Sequence, residues 1–279
     1  MSRYRREIRI LKNVVIYVLL LLFLAFFIAP ILWMLLSSLQ PQENLMRIGY
    51  RFTWNDPFVN FQVLFSDVKF LNALKNSVVL SVASTLLTVV FSACGAYAMS
   101  RCTFRMKKIS MVAIYSIQMG PAVAFLIPLF FIFRQMRMID NIGAMILAVT
   151  TFTIPMSMWI MLGFFSGLPR ELEEAAMIDG CNRLTAFVKI VLPLAKPGMI
   201  SACIVTFISV WGEMLLALPL TLTKATPLTV YASSFSGVYT TNFGGAAAVS
   251  VISVLPIIVL MICLRNYLLN GLTEGAVKG

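Results

Sequence analysis

Residues 173–198 read EEAAMIDGCNRLTAFVKIVLPLAKPG and interrupt a chain that is otherwise strongly apolar. With Glu171 just before it, the stretch places four acidic side chains within nine positions, although the whole protein has only eleven. Long apolar runs lie on both sides of it. We therefore interpret the stretch as a polar connection between two membrane-spanning helices.

The composition predicts a membrane protein. The chain has 279 residues, of which 60% are hydrophobic and 12% are charged, whereas a soluble domain has about 45–50% apolar and roughly 25% charged residues. A helix needs about 20 apolar residues to cross the hydrocarbon core of a bilayer. The predicted fold is an all-α membrane protein with six transmembrane helices, and the charged connection joins spans four and five. The six apolar runs lie at residues 13–36, 76–99, 109–133, 142–164, 198–220 and 244–266.

The basic residues predict an orientation. Fifteen of the 22 Lys and Arg residues fall in the two tails, in the connection after span two and in the connection 165–197. The positive-inside rule then places both termini and 165–197 in the cytoplasm. The chain divides into a basic cytoplasmic tail at 1–12, a transmembrane domain at 13–266 and a cytoplasmic tail at 267–279. The net charge of +11 fits anionic membrane lipid, so we predict no nucleic-acid partner.

Start and stop signals predict two short helices within the connection 165–197. Pro169 can begin the first helix, where its missing N–H is not needed, and Gly180 ends that helix as a C-terminal cap. Asn182 caps the second helix, RLTAFVKIVL, which ends at Pro193. The second helix has an apolar stripe at helical spacing, formed by Leu184, Phe187, Val188 and Val191. Both a joint to another protein and a connector lying on lipid headgroups fit this pattern.

Several classes of site are excluded by missing residues. The chain has no histidine, which excludes His-ligated metal sites and His-based triads. It also lacks the G-x-x-x-x-G-K-[ST] loop whose backbone holds nucleotide phosphates. We predict no catalytic residue, no metal and no cofactor in this chain. The cysteines lie too far apart for a CxxC motif and are Cys94, Cys102, Cys181, Cys203 and Cys263.

The connection resembles the EAA loop of the membrane subunits of ABC importers. That pattern reads E-A-A, two residues, D-G, nine residues and then I-x-L-P. The matching residues here are Glu174, Ala175, Ala176, Asp179, Gly180, Ile190, Leu192 and Pro193. The resemblance implies that these eight residues form a cytoplasmic coupling helix, which docks on a separate ATPase subunit that binds ATP and Mg²⁺.

Other stretches resemble the carbohydrate-uptake branch of these permeases. The resemblance implies a multi-pass protein of the bacterial inner membrane that forms half of a pathway for a sugar or oligosaccharide. It also implies a second homologous permease subunit, two ATPase subunits and an extracytoplasmic solute-binding protein. The stretches are NSVVLSVASTLLTVVFSACGAYAMSRCTFRMKK (76–108), IPLFFIFRQMRMIDN (127–141) and GLTEGAVKG (271–279), the last resembling the ending of the second membrane subunit of maltose-type transporters.

The fifth predicted span contains two candidates for the substrate pathway, Trp211 and Glu213. The carbohydrate branch commonly has Trp-Asn before an acidic residue here, but this chain has Trp211-Gly212-Glu213. Glu213 is the only acidic residue within the predicted spans, and an ionisable group at membrane depth usually faces a cavity or a partner. The alternatives are a structural role for the carboxyl group and simple packing for the indole ring.

Two other functions stay open. The same architecture could import a polyol or glycerol phosphate. A stand-alone secondary transporter is the less favoured alternative, because such proteins usually show internal repeats and coupling charges at the membrane midplane.

Overall fold

The computed structural model describes the backbone of residues 2–47, 52–235 and 241–276, and the side chains of residues 12–47, 52–235 and 241–264. Within these ranges the chain is helical and contains no β-strand, which confirms the predicted all-α class. The helices are α1 (Ser2–Ser38), α2 (Gln42–Leu45), α3 (Val59–Ser66), α4 (Val68–Arg101), α5 (Lys107–Met119), α6 (Ala122–Gln135), α7 (Ile142–Gly167), α8 (Glu171–Ile178), α9 (Arg183–Ala186), a π-helical turn (Phe187–Val191), α10 (Leu192–Leu194), α11 (Lys196–Trp211), α12 (Ala217–Leu220), α13 (Leu228–Ser233) and α14 (Phe243–Ala276).

Among the described residues, four helices are each long and apolar enough to cross a membrane. They are Lys12–Ser38 of α1, all of α4, all of α7 and Phe243–Leu264 of α14. The number rises to six when two bent helix pairs are each taken as one span. Helix α1 begins at Ser2 and therefore includes the backbone of the predicted basic tail at 1–12. The side chains of the predicted C-terminal tail, 267–279, lie outside the described residues.

Two of the predicted spans are not single straight helices. The run 109–133 bends by 97° between α5 and α6. The bend occurs because Pro121 has no N–H to continue the helix and Gly120 takes the extended backbone (φ −82°, ψ 147°) that residues before proline prefer. The run 198–220 is also broken, since α11 ends at Trp211 and α12 begins only at Ala217.

The first of two compact units comprises residues 1–67 and 232–254. Its connection after α1 is held by amide side chains that reach backbone carbonyls. Gln40 Nε2 donates to Thr53 O at 2.7 Å, and Asn60 Nδ2 donates to Gln40 O at 2.8 Å. These bonds satisfy carbonyl groups that lie outside the helices and lack a helical N–H donor. They hold the connection against the end of α1.

The second unit comprises residues 68–231 and 255–279, and its centre is the pair α4 and α7. Hydroxyl groups bond across this pair: Ser84 donates to Ile146 O at 3.5 Å, Thr88 and Thr153 share a bond of 2.7 Å, and Ser92 donates to Ile154 O at 3.2 Å. The residue numbers rise together on both helices, so α4 and α7 run in the same direction. Their C-terminal ends, at Arg101 and Gly167, therefore lie at the same end of the unit.

An apolar cluster fills the space at these C-terminal ends. Its buried members on the two helices include Ala96, Met158 and Phe165, and residues from the segment after α7 complete it. Helix α11 also packs on α7, where buried Gly198 lies so close that a Cβ atom would overlap the Phe164 ring. The segment between α7 and α11 is thus packed onto the ends of α4 and α7.

Candidate functional site

The connecting segment, residues 165–197, begins with α8. This helix starts at Glu171, and Arg170 precedes its first turn. Pro169 was predicted to begin the helix but lies two residues before its start. The predicted glycine bend is confirmed, since Gly180 has φ +90°. The N–H of Cys181 donates to Ala176 O at 3.0 Å across this bend. This closing bond is the usual way in which a glycine ends a helix.

The second predicted helix of the connecting segment has the expected start but a different end. Asn182 caps it, because its Oδ1 accepts the N–H of Thr185 at 2.8 Å. The helix does not end at Pro193 but passes through a π-helical turn at Phe187–Val191 and continues to Leu194. Proline has no N–H to donate to the helix. Just before Pro193 the hydrogen-bond spacing has already widened, because the Leu192 N–H bonds to Phe187 O, five residues back.

The π turn also changes which side of this helix is buried. Two members of the predicted apolar stripe, Phe187 and Val191, are buried, but Leu184 is 70% exposed and Val188 is 51% exposed. The predicted stripe is therefore wrong for those two residues. The buried side is formed by Ala186, Phe187, Val191 and Ala195. The wider turn places buried Val191 five positions after buried Ala186, which a regular helical spacing does not anticipate.

A buried ion pair joins α8 to α4. Arg101 Nε and Glu173 Oε1 are 2.5 Å apart, and their side chains are only 7% and 10% exposed. Tyr97 OH donates to the other carboxylate oxygen, Glu173 Oε2, at 2.9 Å. Arg101 Nη2 also donates to Leu168 O at 2.9 Å, just after α7. We name Glu173, Arg101 and Tyr97 the carboxylate clamp.

Sequence reasoning missed the carboxylate clamp. The usable signal is the spacing of Tyr97 and Arg101, which are four residues apart and therefore share one face of α4. Nothing local indicates that Glu173, and not its neighbour Glu174, is their partner.

Aromatic rings hold the second part of the connecting segment at the same place. The Phe187 ring lies 4.4 Å from the Tyr97 ring and 6.2 Å from the Phe165 ring, centroid to centroid. The rings of Tyr97 and Phe165 meet edge to face at 6.3 Å, a favoured geometry for aromatic pairs. The connecting segment is therefore attached to α4 and α7 through both of its helices.

Most residues of the predicted coupling site lie on the opposite, outward side. The exposed ones are Glu174, Ala175, Asp179, Gly180 and Pro193, and the half-buried ones are Ala176, Ile190 and Leu192. Large apolar side chains are exposed beside them, since Ile178 is 87% and Leu184 is 70% exposed. Exposed apolar side chains grouped among polar ones are typical of a protein interaction surface.

Trp211 and Glu213 lie at the break after α11 rather than within a continuous helix. Trp211 is only 5% exposed, and its ring stacks on Phe207 at 5.8 Å, which favours packing. Glu213 Oε1 accepts the N–H of Leu216 at 2.8 Å, and Thr229 Oγ1 donates to Glu213 O at 2.7 Å. Glu213 thus satisfies backbone that the break leaves unpaired, and a role in the substrate pathway stays a prediction for both residues.

A cavity of about 660 Å³ lies beside the break. Its lining consists of apolar side chains from α6 and from the residues around α12, namely Leu126, Met214, Leu215, Leu218 and Pro219.

Comparison with known proteins gives consistent matches. Residues 92–273, which include the whole connecting segment, match the family model described as binding-protein-dependent transport system inner membrane component. The trehalose transport system permease protein SugB of Mycobacterium tuberculosis (strain CDC 1551 / Oshkosh) is 35% identical over 90% of this chain and 92% of its own length. The trehalose/maltose transport system permease protein MalG of Thermococcus litoralis (strain ATCC 51850 / DSM 5473 / JCM 8560 / NS-C) is 30% identical over 97% of this chain and 98% of its own.

A solved structure has the same fold. It is a bacterial ABC transporter involved in the import of the acidic polysaccharide alginate, and the superposition has a TM-score of 0.79 at 22% identity. The match covers 92% of this chain and 96% of that chain.

Proposed function

The chain belongs to the family of binding-protein-dependent transport system inner membrane components, and from this premise we propose that it forms half of the pathway of an ATP-driven importer for a sugar or oligosaccharide. The relatives named for trehalose and for trehalose/maltose support this substrate class. Relatives of this kind are transporter permease subunits and not enzymes. Dependence on a binding protein in the family description favours the importer over a stand-alone secondary transporter.

The connecting segment is the proposed joint to the ATPase. A joint needs one side that is attached to the membrane helices and another side that is free to bind a partner. Glu173 and Phe187 attach the segment to α4 and α7, whereas Glu174 and Ala175 are exposed. The outward apolar side chains, led by Ile178 at 87% exposure, carry the proposal. Such side chains on a charged surface gain free energy when a partner covers them.

The proposed importer requires further subunits. We propose that two ATPase subunits bind ATP and Mg²⁺, that a second homologous permease subunit completes the pathway, and that an extracytoplasmic binding protein delivers the substrate. The complex would lie in the bacterial inner membrane with both termini in the cytoplasm. The number of Lys and Arg residues in the two tails and in residues 165–197 supports this orientation.

An Ala175→Arg variant tests the joint. Ala175 is exposed on α8, and its small side chain permits close approach of a partner. The arginine variant should still insert into membranes but should lose the co-purified ATPase and the uptake of radiolabelled trehalose. Ala175→Ser, which keeps a small side chain, is the control and should retain both. Full ATPase co-purification and uptake by Ala175→Arg would show that the joint lies elsewhere.

The substrate class is tested in the same membranes by competition. Unlabelled maltose or trehalose should reduce the uptake of labelled trehalose, and glycerol 3-phosphate should not. Competition by glycerol 3-phosphate alone would favour the polyol or glycerol phosphate alternative.

A further inference from the structure

Two adjacent glutamates on α8 have opposite environments. Glu173 is 8% exposed and lies in the carboxylate clamp, whereas Glu174 is exposed. Adjacent positions on an α-helix point about 100° apart, so only one of the pair can face α4 at a time. The occupancy of the clamp by Glu173 therefore determines the side of α8 that faces outward.

The clamp holds Glu173 through charge and hydrogen-bond geometry together. Arg101 Nε donates to one carboxylate oxygen and Tyr97 OH to the other, so both oxygens of the buried carboxylate are satisfied. A buried charge without such partners is strongly unfavourable. If α8 rotated to bring Glu174 towards α4, Glu173 would first have to leave the clamp. Arg101 and Tyr97 would then be unpaired until Glu174 reached them.

Arg101 is the last residue of α4, so the clamp acts at the very end of that helix. The neighbouring residues add two further links to the connecting segment. Arg170 Nη2 donates to Ser100 O at 3.2 Å, and Arg183 Nη1 lies 3.9 Å from Cys102 Sγ. The end of α4 is therefore joined to the connecting segment by several side chains in addition to Glu173.

We propose that Glu173 is a positioning residue that fixes the rotation of α8 and transmits displacement of α8 to α4. This inference rests on the proposed function of the connecting segment as the ATPase joint. It assigns to the buried glutamate a role distinct from the outward residues Glu174 and Ala175, which would contact the partner.

Cys102 provides a readout of movement at the end of α4, because it follows Arg101 directly and is half-buried. The other four cysteines are replaced by serine, and the chain is assembled with its permease and ATPase partners in liposomes. The labelling rate of Cys102 by N-ethylmaleimide is then measured without nucleotide and with ATP plus vanadate. Rates are compared at equal amounts of assembled complex, so that a loss of stability alone does not alter the result.

The expected result is a nucleotide-dependent labelling rate that is lost in Glu173→Ala and in Arg101→Ala. Glu171→Ala is the matched control, since Glu171 is an exposed acid on the same helix, and it should keep the nucleotide response. If the two clamp variants fail to assemble, Tyr97→Phe decides, because it removes one hydroxyl and keeps the ring packing. A reduced response in Tyr97→Phe supports the inference.

Three results would overturn the inference. The first is a full nucleotide response of the Cys102 labelling rate in Glu173→Ala. The second is a full response in Tyr97→Phe when the other clamp variants do not assemble. The third is a labelling rate that does not change with nucleotide in the unsubstituted chain. A failure of the proposed function is distinguishable, because in that case no ATPase co-purifies with the unsubstituted chain at all.

Discussion

Asp140 and Ala225 are 85 residues apart in sequence, yet the Asp140 carboxylate accepts the Ala225 N–H at 3.0 Å. The same carboxylate accepts the N–H groups of Leu222 at 2.9 Å and Lys224 at 3.0 Å. Burial acts to raise the pKa of Asp140, but the backbone N–H groups of Ala225, Leu222, Lys224 and Thr223 outweigh it and hold the pKa well below its usual range. One carboxylate thus orders the residues that follow α12.

We expect Asp140→Asn to destabilise this region by about 1–3 kcal/mol, because the charged acceptor of several hydrogen bonds is lost. Asparagine tolerates the positive φ of Asp140, 59°, so the backbone itself should not be strained. Thermal unfolding in detergent at neutral pH measures the effect. Asp56→Asn is the control, since Asp56 is an exposed acid that also has positive φ, 51°, and it should change the unfolding temperature little.

The pH dependence of this stabilisation follows from the lowered pKa of Asp140. A group with a lowered folded-state pKa stabilises the protein fully above its unfolded-state pKa, which is about 3.9 for aspartate. The contribution should then be lost as the pH falls below about 4. The difference in unfolding temperature between the unsubstituted chain and Asp140→Asn should therefore be constant from pH 5 to 8 and should shrink in stronger acid. A difference that grows on acidification would contradict this.

Gly180→Pro should abolish coupling while leaving membrane insertion intact. Proline fixes φ near −65°, but Gly180 has φ +90° and donates its N–H to Met177 O at 3.1 Å. Gly180→Asn should retain most of the activity, because asparagine adopts positive φ at low cost. The measurements are the membrane-fraction yield, the co-purified ATPase and the uptake of labelled trehalose. Equal uptake in the proline and asparagine variants would contradict the assigned role of the bend.

Glu213→Gln should be nearly silent, because its amide oxygen can still accept the Leu216 N–H that Glu213 accepts at 2.8 Å. Glu213→Leu removes this acceptor and should cost about 1–2 kcal/mol, as for the loss of a helix-capping side chain. Complex yield and uptake are measured for both variants. A selective loss of uptake in Glu213→Gln with normal assembly would instead indicate that this carboxylate contacts substrate.

Gly198→Ala should disrupt the packing of α11 on α7, because the added Cβ overlaps the Phe164 ring. Overpacking of this kind costs about 1–3 kcal/mol. Gly163→Ala is the matched control on α7, since a Cβ there meets nothing within 4 Å. Unfolding temperature in detergent distinguishes the two variants, and Phe164→Ala should partly restore the stability of Gly198→Ala. Equal stability of the two alanine variants would show that α7 and α11 separate easily.

The features that the sequence predicts well are those with local causes. The bend at Gly180 and the cap at Asn182 depend only on residues within a few positions, and both are confirmed. The apolar runs likewise depend on composition alone. The bend at Gly120–Pro121 has a local cause as well. The sequence predicts that a proline disturbs the helix there, but it does not predict whether the result is a small kink or a bend of 97°.

The remaining features depend on distant contacts. Glu173 is 72 residues from Arg101, and nothing around it distinguishes it from Glu174. The contacts of Phe187 in the π turn with Tyr97 and Phe165 cannot be read from a helical spacing. The outward or inward direction of a side chain in the connecting segment therefore required the folded structure.

The opposite environments of Glu173 and Glu174 limit how the length of this part of the chain can vary. One residue added or removed between Pro169 and Glu173 would turn the rest of α8 by about 100° relative to its anchor after α7. The clamp would then receive a neighbouring side chain, and the face presented outward would change as a whole. A substitution alters one position of α8, but a single insertion or deletion would rotate all of its side chains relative to α4. The spacing from α7 is therefore as much a part of this site as the residues themselves.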